Sequence, residues 1–422
     1  MKIFLDTIGC RLNQAEIESM ARQFRAQGHA IVGEANAADL VVVNTCSVTS
    51  EAAADSRQTI RHAARSGAKE IVVTGCWSTL QPSAASDLPR VVRVIPNAQK
   101  DFLVADALNI SREEFDREPI SREPLPGLHR RTRAFVKAQD GCDNACTFCI
   151  TTVARGAARS RNASAVIEDI RSALGGGARE IVLTGVHLGS WGHDQGRHLR
   201  DLIAIILAET ETPRLRLSSL EPWDLDETFF TLWENKRLMP HLHLPLQSGS
   251  ASVLKRMLRK TTPDSFRALI DAARSILPDA AITTDLISGF PGETDDEFAE
   301  TLDFIRAINF ASGHVFTYSA RPGTPASRMK DQVPHEIRKR RSSLLRNGFS
   351  EMSETYRKQF IGKTLPVLWE SASELTEDGW KMEGWTPNYI RVTAFAKEAR
   401  WNQIDDVMLS DIVGDGVKGT IV

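Results

Sequence analysis

The stretch "QDGCDNACTFCI", from Gln139 to Ile150, sets Cys142, Cys146 and Cys149 at C-x3-C-x2-C spacing in a glycine-led loop. Packing does not call for that spacing, since a free cysteine serves as a small hydrophobe anywhere in a core, and a disulfide would use only two of the three. Structural zinc closes with four ligands, commonly from paired C-x2-C units, and the sequence has no second pair. Three thiolates on a cubic iron–sulfur cluster leave one iron without a protein ligand, and an open iron is a binding site.

The flanking residues indicate what carries this loop. "RAFVKAQDG" before it reads as a strand. After it come "SAVIEDIRSALGGG", "EIVLTGVHLG", "LRDLIAIILAE", "RLRLSSLEP", "HLHLPLQSG", "SFRALIDAARSIL", "AITTDLISGF", "TDDEFAETLDFIRAI" and "HVFTYSA". Such alternation of strand and helix patterns implies parallel strands with crossover helices, here a full or partial β/α barrel whose working residues sit on loops after the strands. The cysteine loop follows the first strand of that unit.

Further upstream the alternation recurs on a smaller scale. "KIFLDTIG", "DLVVVNT" and "EIVVTG" read as strands, with helical patterns in "QAEIESMARQFRAQGH" and "EAAADSRQTIRHAARSG". Cys10, Cys46 and Cys76 each come just after one of these strands, in "TIGCRLNQ", "VNTCSVTS" and "VTGCWSTL". The carboxyl ends of parallel strands share one sheet edge, where ligands bind. The three cysteines are therefore expected to converge and to hold a second cluster with three protein ligands.

Beyond Phe360, "GKTLPVLWESAS", "GWKMEGWTPNYIRVTAF" and "QIDDVMLSDIVGDGVKGTIV" are short β-prone pieces, consistent with a small all-β barrel. Trp380, Trp385 and Tyr389 there suit either base stacking or a core, with the core favoured. The expected fold class is α/β: a parallel α/β unit over 1–109, a polar, proline-bearing linker over 110–132, a β/α barrel over 133–358 and an all-β barrel over 359–422.

A chain of 422 residues has room for these units, and its net charge of −2 argues against a general polyanion binder. No run is apolar enough to span a bilayer, and "MKIFLDTIGC" reads as a first strand rather than a signal peptide, so a cytoplasmic protein without membrane association is expected. Six cysteines are too few for a disulfide scaffold, which leaves ligation as their use. Two basic stretches, "HRRTRAFVK" (His129–Lys137) and "ARGAARSR" (Ala154–Arg161), flank the cysteine loop and suit an anionic ligand. A third, "IRKRRSSLLR" (Ile337–Arg346), reads equally as a solvated helix face.

The C-x3-C-x2-C loop, with Phe148 before its last cysteine, resembles the radical S-adenosylmethionine signature. In order, the three units resemble the cluster-binding domain, radical S-adenosylmethionine core and TRAM domain of the methylthiotransferases, and all six cysteines match that family's ligands. "GCRLNQAE", "NTCSVT", "LTGVHLG", "RLSSLEP", "LHLPLQSGS", "TTDLISGFPGET" and "HVFTYSARPGTPA" are most similar to the branch that modifies N6-threonylcarbamoyladenosine at tRNA position 37. The isopentenyladenosine branch usually carries Gln-Met-Asn after its first cysteine, and the branch acting on a ribosomal-protein aspartate Pro-Lys-Asn. This chain has neither, and it shows Thr151-Thr152-Val153 where the family commonly has Pro-Tyr before Ala-Arg-Gly.

The resemblance implies a methylthiotransferase with two 4Fe-4S clusters. The one on Cys142, Cys146 and Cys149 would bind and cleave S-adenosylmethionine, and the one on Cys10, Cys46 and Cys76 would present sulfur. It also implies an electron donor such as flavodoxin or ferredoxin, a sulfur source, and the tRNA anticodon loop as partner. No side chain is assigned as a catalytic acid or base, because adenine C2–H is too unacidic for one. By position, Gly185 and Glu221, with the Ser218–Leu220 turn, are expected to meet the cofactor, and Gly289, Gly292 and Glu293 are similarly placed. Arg155, Arg159 and Arg161 are expected to position RNA phosphates. A noncatalytic RNA-binding protein with a structural metal is the alternative from outside enzymology.

Overall fold

The computed structural model describes residues 1–117 and 132–422. The linker expected over 110–132 and the start of the basic stretch at His129 therefore lie largely outside the described residues. The N-terminal sheet is built on "LVVVNT", whose β-branched residues are buried on both faces as a central parallel strand requires. Its five parallel strands are β1 (Lys2–Thr7), β2 (Ala30–Ile31), β3 (Leu40–Thr45), β4 (Glu70–Gly75) and β5 (Val91–Ile95), in the order β2-β1-β3-β4-β5. Leu40 and Val42 face the helix Arg11–Ala26 through Ile17, Met20 and Phe24. Val41 and Val43 face the helix Ser50–Arg65 through Ala53, Ile60 and Ala63. Alternate side chains of one strand thus feed two cores.

That order reverses direction between β1 and β3, which is the switch point where open α/β sheets bind ligands. Register aligns Thr7 with Asn44 and Asn44 with Thr74, so the three strands end level. Cys10 stands directly before the helix Arg11–Ala26, Cys46 follows β3, and Cys76 opens the short helix Cys76–Leu80. The two edge strands β2 and β5 extend the sheet beyond the three strands expected.

The central unit holds β6 (Arg133–Lys137), β7 (Gln139–Asp140), β8 (Arg159–Ser160), β9 (Glu180–Thr184), β10 (Arg214–Leu217), β11 (His241–His243), β12 (Ala281–Ser288) and β13 (Ser312–Thr317). The parallel strands β6-β9-β10 and β11-β12-β13 form two sheets in chain order, joined by a parallel bridge from Leu215 to Leu238. Among the described residues β6 and β13 do not pair, so the barrel is partial. Its helices bury one core through residues such as Ile170, Ile203, Phe266 and Phe304. Between β6 and β9, the two-residue strands β7 and β8 pair antiparallel, Gln139 with Ser160 and Asp140 with Arg159, and close the cysteine loop at its base.

Next, the helix His335–Lys358 carries the third basic stretch, which is only partly solvated. Arg341 is buried on ion pairs of 2.7 Å to both Glu293 and Asp295. The C-terminal strands β14 (Thr364–Thr376), β15 (Gly379–Trp385), β16 (Arg391–Ala396), β17 (Ile404–Val413) and β18 (Gly416–Ile421) form a closed barrel around Val367, Trp369, Met382, Val392 and Val407. No helix among the described residues is long and apolar enough to cross a membrane.

Candidate functional site

At the N-terminal sheet edge the three cysteines come together. A Cβ on Gly9, whose φ is +108°, would lie 2.6 Å from both Cβ and Sγ of Cys46, so only glycine allows the Cys10 loop to approach this closely. Asn13 fixes that loop, donating to Ile8 O at 2.7 Å and Thr45 O at 3.1 Å, while Asn97 donates to Cys76 Sγ at 3.6 Å. Burial pushes the Cys46 thiol up to about 11, and the neighbouring Cys10 and Cys76 sulfurs push the same way. Thiols that oppose one another's ionisation call for a shared cation, and all three are free of disulfides.

In the second triad the backbone supplies donors to sulfur. Asn144 N–H lies 3.5 Å from Cys142 Sγ and Thr151 N–H 3.4 Å from Cys149 Sγ, while Arg259 Nη1 donates to Cys146 Sγ at 3.7 Å. Such donors stabilise thiolates and tune a cluster held by them. His187 adds a further cationic neighbour beside Cys142. Burial alone would depress it, but its 2.6 Å bond to Asp224 and its contact with the Cys142 sulfur lift it to about 10. Among the described residues no three His, Cys, Asp or Glu converge tightly enough for a single ion. A four-iron cube holds its thiolates on separate corners, so three cysteines at each place would suit such a cluster.

One side chain links the surroundings of the two triads. Asn97, bonded to Cys76, also donates to Ala154 O at 2.8 Å, in the helix that follows Cys149. A cavity of about 440 Å³ is walled by Ser47, Trp77 and Ile150, each the residue immediately after a cysteine, the first two from one triad and the third from the other. The motif "HVFTYSARPGTPA" completes it with Arg321 and Pro322.

Several of the expected contact residues have partners within the protein. Arg155 does not face an RNA phosphate: it is buried, with Nη1 2.8 Å from Glu16 and 2.9 Å from Asp140 and Nη2 2.7 Å from Asn13. Arg161 bonds Asp169 at 2.8 Å and Lys137 O at 2.7 Å. Arg159 keeps an exposed side chain, 3.8 Å from Asp140. Glu221 is engaged by Arg259 at 2.6 Å, so it acts on the Cys146 sulfur through that guanidinium. Gly185 follows β9 and packs on Gln139, whose Oε1 accepts from His187 N–H at 2.8 Å. Gly289, Gly292 and Glu293 form a turn of their own, Gly289 N–H donating to Glu293 at 2.7 Å. Tyr389 stacks between Trp385 and His241, with centroids 4.6 and 4.5 Å away, and Trp380 packs against the barrel core, so none of the three aromatics is a free platform for a base.

The partial barrel and its three-cysteine loop define a radical S-adenosylmethionine enzyme. Residues 136–305 match the radical SAM superfamily and residues 2–96 the Uncharacterized protein family UPF0004. The chain is 40% identical over 374 residues to a threonylcarbamoyladenosine tRNA methylthiotransferase of Thermotoga maritima, covering 87% of this chain and 86% of that protein. It is 37% identical to the Bacillus subtilis protein of the same name, covering 92% and 88%. A tRNA-2-methylthio-N(6)-dimethylallyladenosine synthase of Novosphingobium aromaticivorans is 35% identical, covering 86% and 85%. The chain belongs to the methylthiotransferase family. In fold it is also similar to the radical S-adenosylmethionine methyltransferase TsrM of Kitasatospora setae, at TM-score 0.60 and 14% identity, covering 77% of this chain and 75% of that one.

Proposed function

We propose that the protein adds a methylthio group to C2 of N6-threonylcarbamoyladenosine at position 37 of tRNA. The observation that carries this reading is the shared cavity, walled by residues that directly follow cysteines of both triads. A base held there would meet a hydrogen-abstracting centre and a sulfur-presenting centre without moving between sites. Its N6 substituent is read from the resemblance of the quoted motifs and from the 40% and 37% identical relatives of that name.

Cys142, Cys146 and Cys149 would hold the cluster that binds S-adenosylmethionine, and Cys10, Cys46 and Cys76 the auxiliary one. When bound, these groups would supply radical formation and sulfur for transfer, chemistry that no side chain offers. The chain's own residues prepare the site. Arg259, oriented by Glu221, works against the burial that raises the Cys146 thiol, and His187, oriented by Asp224, sets a positive charge beside Cys142. Ile150, Trp77 and Pro322 supply the apolar part of a wall that also carries Arg57 and Arg321. Arg159 remains exposed for a phosphate. An electron donor such as flavodoxin or ferredoxin, a sulfur source and a cytoplasmic setting complete the reading.

The test is an anaerobic reaction of reconstituted, reduced protein with S-adenosylmethionine and three substrates in parallel. These are tRNA bearing threonylcarbamoyladenosine, tRNA bearing isopentenyladenosine, and the ribosomal protein, each followed by mass spectrometry. A methylthio gain on the first substrate alone is expected. Gain on either of the others instead would overturn the substrate and keep the two-triad chemistry.

A further inference from the structure

Two half-buried arginines on the cavity wall lack the carboxylate partner that the fully buried guanidiniums have. Arg155, Arg216, Arg259 and Arg341 each reach a carboxylate at 2.6 to 2.8 Å. Arg57 and Arg321 have no carboxylate partner among the described residues, and Nε and Nη2 of Arg321 are buried without any hydrogen-bond acceptor. Arg57 leans over the Trp77 ring at 5.8 Å, inside the same cavity. A guanidinium does not escape desolvation by losing its proton, so burying nitrogens of Arg321 without an acceptor is costly. The Cys46 sulfur acts on Arg321 from nearby, and Arg57 with the buried Nε and Nη2 of Arg321 leaves room for an anion that arrives with the substrate.

The nucleoside offers two anions, the carboxylate of the threonylcarbamoyl group and the backbone phosphates. In adenine a single ring nitrogen, N1, separates C2 from C6, so the N6 substituent lies beside the reacting carbon. The phosphates lie beyond the ribose, at the far end of the nucleotide. With C2 directed at the cysteine-following walls, the substituent is the part that shares the cavity with Arg57 and Arg321. We infer that Arg57 and Arg321 form the subsite that binds the carboxylate of the threonylcarbamoyl group and so select this nucleoside over one with an uncharged substituent. The inference rests on the substrate reading above. The apolar alternative substituent would leave both cations unpaired in the cavity, which is discrimination by an unmet charge.

The experiment uses the full chain with both clusters reconstituted and anticodon stem-loop RNAs carrying threonylcarbamoyladenosine, its carboxylate methyl ester, or isopentenyladenosine. Affinity is read by fluorescence anisotropy and product by mass spectrometry, for the wild type, R57Q and R321Q, with iron content certifying each variant's fold. The wild type is expected to bind the acid about tenfold to a hundredfold more tightly than the ester, the range of one charge-assisted contact. Each variant is expected to lose most of that preference. Because the ester removes the charge from the ligand side, the outcome does not depend on any variant folding. Equal affinity and turnover of acid and ester by the wild type would overturn the subsite while leaving the proposed function intact. Variants that weaken all three RNAs alike would point to a phosphate contact and also overturn it. Wild-type product only on the isopentenyl RNA would instead sink the substrate reading itself.

Discussion

The Arg155 guanidinium ties the end of the cysteine loop to the helix Arg11–Ala26 of the N-terminal unit, bonding Glu16 at a separation of 139 positions along the chain. Glu16 also takes Lys100 at 2.8 Å and Lys137 at 3.3 Å, and Lys137 reaches Asp140 at 2.8 Å, so five charges lie together at the junction. Burial opposes ionisation of Glu16, but Arg155, Lys100 and Lys137 together hold it well below the usual carboxylate range. Removing one cation leaves buried carboxylates short of charge, a loss of about 3–5 kcal/mol. R155Q should therefore lower the thermal unfolding midpoint clearly, and R155K should recover only part of it, because an ammonium has no fork for Glu16 and Asn13 together. A melt that R155Q leaves in place would remove Arg155 from this role. In the sequence, Arg155 sits in a basic run and resembles a phosphate ligand. Nothing local reveals a partner that only the tertiary fold brings near, and Arg259, the partner of Glu221, escaped the sequence reading for the same reason.

Cysteine placement, by contrast, was legible, because strand periodicity locates strand ends and both triads occupy such ends. The two-residue strands β7 and β8 were not, being too short for any periodic signal, yet they govern the loop's closure. Gly141 makes that closure possible: with φ of +71°, an added Cβ would sit 1.9 Å from Ala157 O. G141A should open the loop and reduce iron and sulfide per chain to about half the wild-type content, the N-terminal triad keeping its share. Full iron content in G141A would show that the loop closes by another route. At the opposite end of the strands, Glu180 of β9 pairs with Arg214 at 2.9 Å and Arg216 at 2.7 Å. Burial would raise its carboxyl, but those two arginines and Arg133 hold it at about 2 against an ordinary 4.5. The folded value lies below the unfolded one, so its stabilisation is complete above the unfolded value and is lost as pH falls toward the folded one. It amounts to about 3 kcal/mol. E180Q should be less stable at neutral pH and should lose less of its melting midpoint than the wild type on going from about pH 5 to pH 3. Equal slopes for the two proteins would exclude Glu180 as a source of acid sensitivity.

Across the whole molecule, the arginine-rich base of the partial barrel is covered by the C-terminal barrel. Arg214 donates to Trp385 O at 3.2 Å, Arg216 donates to Pro387 O at 3.0 Å, and Arg133 pairs with Glu370 at 2.5 Å. Tyr389 is the centre of this contact: its ring stacks on His241, and its hydroxyl lies 3.3 Å from Arg133 and 3.2 Å from Arg11, the residue after Cys10. One side chain of the third unit therefore touches the second unit's base and the residue beside Cys10 in the first unit. Sequence reading favoured a core role for this tyrosine, but the core it joins lies between units rather than inside the C-terminal barrel. A platform for nucleic acid on that barrel must accordingly be sought elsewhere on its surface. Docking of this kind, through stacked rings and guanidiniums whose partners lie on another unit, makes unfolding of the units cooperative. Y389A would remove the stack and the link to Arg11 while leaving the C-terminal barrel core of Trp369, Met382 and Val407 untouched. The expected outcome in calorimetry is that a single wild-type transition splits, with the C-terminal barrel melting separately. Y389F, which keeps the ring, should restore a single transition and lose only the hydroxyl contacts. If Y389A still melted in one step at the wild-type midpoint, the junction would be held by the Arg133–Glu370 pair and its neighbours, and the tyrosine would be a passenger in the contact.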